Sequence, residues 1–250
     1  IGDAAFESCS NLETVTFGKG IEKVGTNAFD MCYKLKGVFI TDLEAWCNIS
    51  FEGGFITNPL KLAKHLYLNG EEITDLIIPD GTTSIKSQAF WGAEFISSIY
   101  IPDGVTSIER LAFAGCITAE SVHLPSTLVS IGWGAFSADS MITTLKIPQK
   151  VSEIDDFAFD ACDGISSVVV EWSTPLPISN YTFRNRAKAE LYVPAGCKAS
   201  YEAADYWKEF KEIVEMEKPE LLKCATPTIA YDHGELVFAC ETEGVTFVSE

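Results

Sequence analysis

The chain has 250 residues, 36 acidic against 18 basic side chains for a formal charge of −18, and is 47% apolar and 12% aromatic. That apolar share excludes wholesale disorder, and the acidity excludes phosphate-rich surfaces, so neither nucleic acid nor anionic lipid is an expected partner. No run approaches the ~20 apolar residues that crossing a bilayer needs, so no membrane insertion is expected in this segment. The length alone allows one large domain or two small ones. The chain opens at Ile1 inside a patterned segment, without Met or a signal-peptide pattern, so a removed leader is compatible with it.

The first element to appear is also the one that recurs. Ala-Phe places Phe at positions 6, 29, 90, 113, 136 and 159, with Thr182-Phe183 as a looser copy, at intervals of 23, 61, 23, 23, 23 and 24 residues. Five residues before each Phe stands an aliphatic residue, from Ile1 and Val24 to Ile154 and Ile178. Nine after the first six come Val15, Val38, Ile99, Val122, Leu145 and Val168, each followed two residues later by a second apolar residue. Such apolar-x-apolar triplets predict short strands with alternate residues facing opposite ways. Pro79, Pro102, Pro125 and Pro148 end four of them, since Pro lacks a ladder donor. Turns follow, as at Pro79-Asp80-Gly81 and Pro102-Asp103-Gly104. A unit of 23 residues cannot bury its apolar side alone, so the units must stack into one core with the recurring Phe as its spine.

The stretch Ile-Pro-Asp-Gly-Val-Thr-Ser-Ile-Glu-x-x-Ala-Phe-x-x-Cys, running from Ile101 to Cys116, resembles the repeat of the BspA-like leucine-rich repeats of bacterial surface proteins, over roughly residues 1–195. The resemblance implies a repeat solenoid of the right-handed β/α leucine-rich-repeat type, built mainly of short parallel strands and turns. It also implies a secreted or surface-anchored protein of host-associated bacteria, in a family linked to adhesion to host matrix proteins.

The interval of 61 residues marks an insertion over residues 41–78. Within it, residues 42–51 predict a short helix capped by Thr41 or Asp42, and Leu66-Tyr67-Leu68 predicts a hairpin turning at Asn69-Gly70. The insertion is either a structural elaboration or a ligand-facing feature. After Pro194, Tyr201, Ala204, Trp207, Phe210 and Ile213 recur every three residues among Glu and Lys, which predicts one amphipathic capping helix over about 198–216. Residues 218–250 read as a linker and a truncated module of strands, with one strand at residues 225–231, a second around Leu236, Val237 and Phe238, and a third around Val245, Phe247 and Val248. This resembles the opening of a small β-sandwich, broken off at Glu250. The expected domains are therefore a solenoid over 1–217 and this module over 218–250.

Chemistry is sparse. Cys9, Cys32, Cys116 and Cys162 each lie three residues after the Phe and read as small buried thiols. Rungs ~4.8 Å apart would let Cys9 and Cys32 just bridge, whereas Cys116 and Cys162 lie two rungs apart, too far to bridge. Cys47, Cys197, Cys224 and Cys240 have no assignable partner. Asp139 stands where four other units carry Cys, so either the loop re-routes or its carboxylate finds a partner. His65, His123 and His233 read as solvated surface residues, and Asp155-Asp156 and Glu71-Glu72 as solvated turn residues. Without a Cys-x-x-Cys, a Gly-rich phosphate loop, His-Glu-x-x-His or Gly-x-Ser-x-Gly, no metal, cofactor or catalytic residue is assigned.

One constellation points to binding. The middle residues of the predicted strands stack along the outer sheet in the order Thr16, Phe39, Ile77, Tyr100, His123, Lys146, Val169 and Tyr192. Phe39, Tyr100, His123, Lys146 and Tyr192 are the candidate partner-binding residues, because exposed aromatics beside a His and a Lys suit a protein partner or a sugar. The alternative is cross-strand packing that only stabilises the sheet. The expected function is non-catalytic binding of a host extracellular protein by a monomer at the cell surface or secreted. Glycan binding through Tyr100, Trp172 or Tyr192 is the alternative, and a hydrolase accessory domain a remote one.

Overall fold

The computed structural model describes residues 1–53, 57–217, 228–232 and 235–239. The chain divides into two compact units, Ile1–Met216 and Glu217–Glu250. In the second unit, Thr228–Asp232 and Glu235–Ala239 form an antiparallel hairpin. The third strand expected around residues 245–248 lies outside the described residues, as do Cys224, Cys240 and His233.

The first unit is a leucine-rich-repeat solenoid of short parallel strands. Its long-strand face carries three consecutive sheets. Thr14–Phe17, Gly37–Ile40 and Leu66–Leu68 form the first, closed by the antiparallel Glu71–Glu72. Asp75–Ile77, Ser98–Tyr100 and Ser121–His123 form the second. Thr144–Ile147, Ser167–Val170, Glu190–Val193 and Glu212–Glu215 form the third. The register equals the sequence period, so Val122 lies beside Ile99 and Ser130 beside Ser107. A second face carries two-residue strands, with Ser84–Ile85, Ser107–Ile108, Ser130–Ile131 and Glu153–Ile154 side by side.

Between the faces the Ala-Phe turns build the spine. Phe90, Phe113, Phe136, Phe159 and Phe183 are fully buried and stack at centroid distances of 5.3, 5.3, 5.5 and 5.0 Å, close to the ~4.8 Å between neighbouring strands. The N–H groups of Phe90, Phe113, Phe136 and Phe159 each donate to the next rung, as from Phe113 to the Ala135 carbonyl at 2.8 Å. The turn needs left-handed backbone two residues before and two after the Phe: Gln88, Leu111 and Phe157 at the first place, Gly92, Gly115 and Ala161 at the second. Gly fits such a position without strain, and a side chain there costs free energy.

The insertion forms its own rung. Leu43–Cys47 is helical, with the Asp42 carboxylate accepting the Ala45 N–H at 2.9 Å as N-cap. Here Trp46 takes the place of the spine Phe: its indole packs edge-on to Phe17 at 5.1 Å and donates to the Ala89 carbonyl at 2.9 Å. Buried Asn58 donates to the Gln88 and Ala89 carbonyls at 2.7 and 3.1 Å and accepts the Leu60 N–H at 2.8 Å. The predicted hairpin at Asn69-Gly70 is present between Leu66–Leu68 and Glu71–Glu72.

The single capping helix over 198–216 is not what closes the other end. Helix Lys198–Ala203 stops after six residues, Tyr206 turns left-handed at φ 65°, Trp207–Glu209 makes one 3-10 turn, and Glu212–Glu215 pairs with Glu190–Val193 as a further parallel strand. An apolar spacing of three drifts away from the 3.6-residue helical period. The open edge of Glu190–Val193 offers main-chain bonds to any segment that extends along it, and Glu212–Glu215 turns Ile213 into the core while both Glu side chains stay exposed. The predicted apolar residues do close the core: Tyr201 donates to the Trp172 carbonyl at 2.8 Å and Trp207 to the Leu176 carbonyl at 2.7 Å.

Candidate functional site

Alternation along each apolar-x-apolar triplet, such as Ile99-Tyr100-Ile101, puts its flanking residues inside and its middle residue outside. Ile77, Tyr100 and His123 therefore line up on three paired strands, with Ile77 64% and Tyr100 47% exposed. The Tyr100 and His123 rings stack at 4.7 Å with planes 6° apart. Lys146 is the next step and pairs with Glu171 at 2.9 Å.

The other two candidates stand elsewhere. Phe39 is half-buried and stacks on Tyr67 at 4.6 Å, so its neighbour is Tyr67 and not Ile77. The reason is that Leu66–Leu68 adds its own rung before Asp75–Ile77. Tyr67 was visible in the Leu-Tyr-Leu triplet, but its rung starts 28 residues after Val38 and escapes a period of 23. Tyr192 is half-buried beyond Val169, its hydroxyl donating to Glu190 at 3.0 Å, a bond that raises its pKa. Lys211 in turn bonds Glu190 and holds that carboxyl below its ordinary range.

Between His123 and Lys146 the long-strand face is split. Ile78 donates to the Tyr100 carbonyl at 3.0 Å and Ile101 to the His123 carbonyl at 3.2 Å, but Leu124 makes no corresponding bond to Lys146. Glu120 donates to the Ser97 carbonyl at 2.8 Å, yet Thr143 makes no such bond to Glu120. The second face stays joined across the same rungs, with Ser152 donating to the Val129 carbonyl at 2.9 Å. A groove of about 250 Å³ occupies the split, lined by His123, Lys146, Glu171, Asp103 and Ser126 with Val122 and Leu124 at its base. Val122 is only half-buried, while its lane neighbours Ile99 and Leu145 are fully buried. Nothing in the 23-residue spacing across this rung announces the split.

Several sequence expectations change here. Trp172 is buried, its indole donating to the Val151 carbonyl at 2.9 Å, so it offers no exposed ring to a sugar. His65 is half-buried rather than solvated, stacked 3.9 Å from Phe95 with Nδ1 2.5 Å from Glu72. Cys9 is exposed, and Cys9 and Cys32 are both free thiols. Cys32, Cys116 and Cys162 are buried and donate to the carbonyls of Phe6, Phe90 and Phe136 at 3.0, 3.6 and 2.9 Å. Burial raises all three thiol pKa values and pushes Cys47 up to about 12, the opposite of an activated nucleophile. Asp139 does find a partner: one carboxyl oxygen accepts the Cys116 N–H at 2.8 Å, while the other is buried without one. Burial holds its pKa well above the ordinary carboxyl value.

Among the described residues, no group of three His, Cys, Asp or Glu side chains is placed to hold a metal ion, and no helix is long and apolar enough to cross a membrane.

The pneumococcal vaccine antigen PcpA matches with a TM-score of 0.52 at 18% identity, over 87% of this chain and 71% of that one. A leucine rich cell surface protein from Faecalibacterium prausnitzii matches with a TM-score of 0.46 at 16% identity, over 87% and 63%. A leucine-rich repeat protein from Bacteroides ovatus matches with a TM-score of 0.47 at 20% identity, over 86% and 64%. The chain thus spans about two thirds of the length of these structures. No curated protein matches by sequence. The BspA type Leucine rich repeat region matches in six copies over residues 1–56 and 61–190. With most of its length accounted for by those repeats, the chain belongs to the BspA-type leucine-rich repeat family.

Proposed function

We propose that this is a non-catalytic binding protein, at the cell surface or secreted, that contacts a host extracellular protein through the long-strand face. The observation that carries the reading is the exposed row Ile77, Tyr100 and His123 on three consecutive strands. An apolar and aromatic row on a regular backbone orders few new groups on contact, which favours it as an interface. The family, and the vaccine antigen that shares the fold, support a surface location. The spine and the thiol lane are spent on the core, which leaves the outer sheet free for a partner.

The ring geometry favours protein over sugar. Tyr100 and His123 each cover one face of the other, as do Phe39 and Tyr67, so each pair offers fewer free faces for a pyranose ring to stack on than separate rings would. Pull-down against a panel of extracellular-matrix proteins tests the reading. The retained partner should be lost when Tyr100 and His123 are replaced by Ala; retention unchanged would overturn it. Saturable binding on a glycan array, with no matrix partner, would favour the sugar.

A further inference from the structure

The groove at the split has the chemistry of an arginine site. We infer that it accepts an arginine side chain of the partner, an inference that rests on the long-strand face being the contact surface. The first observation is geometric. Tyr100 covers one face of the His123 ring, but the next rung carries Lys146 rather than another ring, so the stack ends at the groove. A guanidinium is planar and stacks on aromatic faces, which lets it continue the column where the protein stops.

The second observation is electrostatic. Asp103 uses one oxygen, Oδ1, to accept the Ser126 N–H and hydroxyl, both at 2.9 Å. Asp103 lines the groove, and its other oxygen makes no hydrogen bond among the described residues. Glu171 accepts from Lys146 at 2.9 Å and from the Gln149 N–H at 3.2 Å, and Lys146 is mostly exposed, free to swing aside. The groove thus offers two carboxylates against one cation, on a chain of charge −18. The third observation is the split itself, where the carbonyl of Lys146, a residue of the groove wall, lacks the donor that the repeat provides elsewhere. A guanidinium has five N–H donors and no acceptor, and so suits a site rich in acceptors. An ammonium could satisfy the charge but not the stacking.

The test titrates the 250-residue chain with the peptide acetyl-Gly-Arg-Gly-amide, following the imidazole proton signals assigned to His123 by comparison with the His123→Ala variant. The expected result is a saturable shift of those signals. The lysine counterpart should bind at least five-fold more weakly and the citrulline counterpart should not bind. Asp103→Asn, which keeps the Ser126 bonds, and Glu171→Gln should each weaken the arginine peptide at least five-fold. Equal shifts with the citrulline peptide, or unchanged affinity in both variants, would overturn the inference. If a matrix protein is captured through Tyr100 while the arginine peptide fails, the groove inference falls and the surface reading stands. If the peptide binds and no matrix protein is captured, the groove inference stands and the host-protein reading falls.

Discussion

The regular rungs and the inserted rung bury the same core with different atoms. In the regular rungs a spine Phe fills the volume and a backbone N–H meets the next carbonyl, as Phe113 does for Ala135. In the inserted rung one side chain does both, because Trp46 fills the volume and its indole N–H reaches Ala89, with Asn58 beside it. A repeat tolerates a foreign rung when each carbonyl of the following turn still meets a donor, whatever its chemical source.

The largest test of that equivalence is Trp46→Ala beside Phe113→Ala. Emptying either volume costs about 3–5 kcal/mol. The Trp46 change also removes one of the two donors on the buried Ala89 carbonyl, worth about 0.5–1.5 kcal/mol more, so urea unfolding should rank it as the costlier of the two; the reverse order would break the equivalence. The next effect separates the one acidic rung from the thiol rungs. A carboxyl whose pKa is raised in the folded state holds its proton more tightly folded than unfolded. Stability from Asp139 is therefore greatest below about pH 3.9, the ordinary value, and falls as pH rises, by up to about 1.4 kcal/mol per pH unit, until the folded form ionises. Asp139→Asn should flatten that slope in unfolding curves taken between pH 4 and 7; an unchanged slope would mean that Asp139 is not the group responsible.

Asn58→Ala should cost about 1–3 kcal/mol by leaving the Gln88 carbonyl and part of the Ala89 bonding without a donor, again by urea unfolding. No loss would mean that Trp46 alone satisfies the turn. The smallest effect lies within the regular rungs. Ala161 holds a left-handed φ of 56° where Gly92 and Gly115 stand in other rungs. Ala161→Gly should raise stability by about 0.5–1 kcal/mol by removing that strain, seen as a higher urea midpoint.

Most of the fold was legible because the same contacts recur, so the sequence repeats wherever the structure does. Phe113 and Ile99 announce the spine and the strand lane through spacing alone. What escaped has no period. Tyr67 sits on a rung of irregular length, and the stretch from Lys198 to Glu215 trades helix for strand because the edge of Glu190–Val193 is there to be paired. Of the candidate residues, Tyr100 and His123 come together because parallel register makes equal spacing into adjacency, and Lys146 faces His123 only across the groove. Their groove could not be read in advance: it depends on main-chain bonds that are missing between two rungs of ordinary spacing, and every residue there keeps the pattern.

The split also has a mechanical meaning. In a stack of rungs pulled from its ends, the bonds between neighbouring rungs carry the load in series. Neighbouring regular rungs such as those of Ser98–Tyr100 and Ser121–His123 share that load between both faces. At His123 and Lys146 the short-strand face and the Phe turns bear it alone. Under tension the seam beside the groove would part before its neighbours, so a partner clamped across it would resist the very motion that pulls the rungs apart.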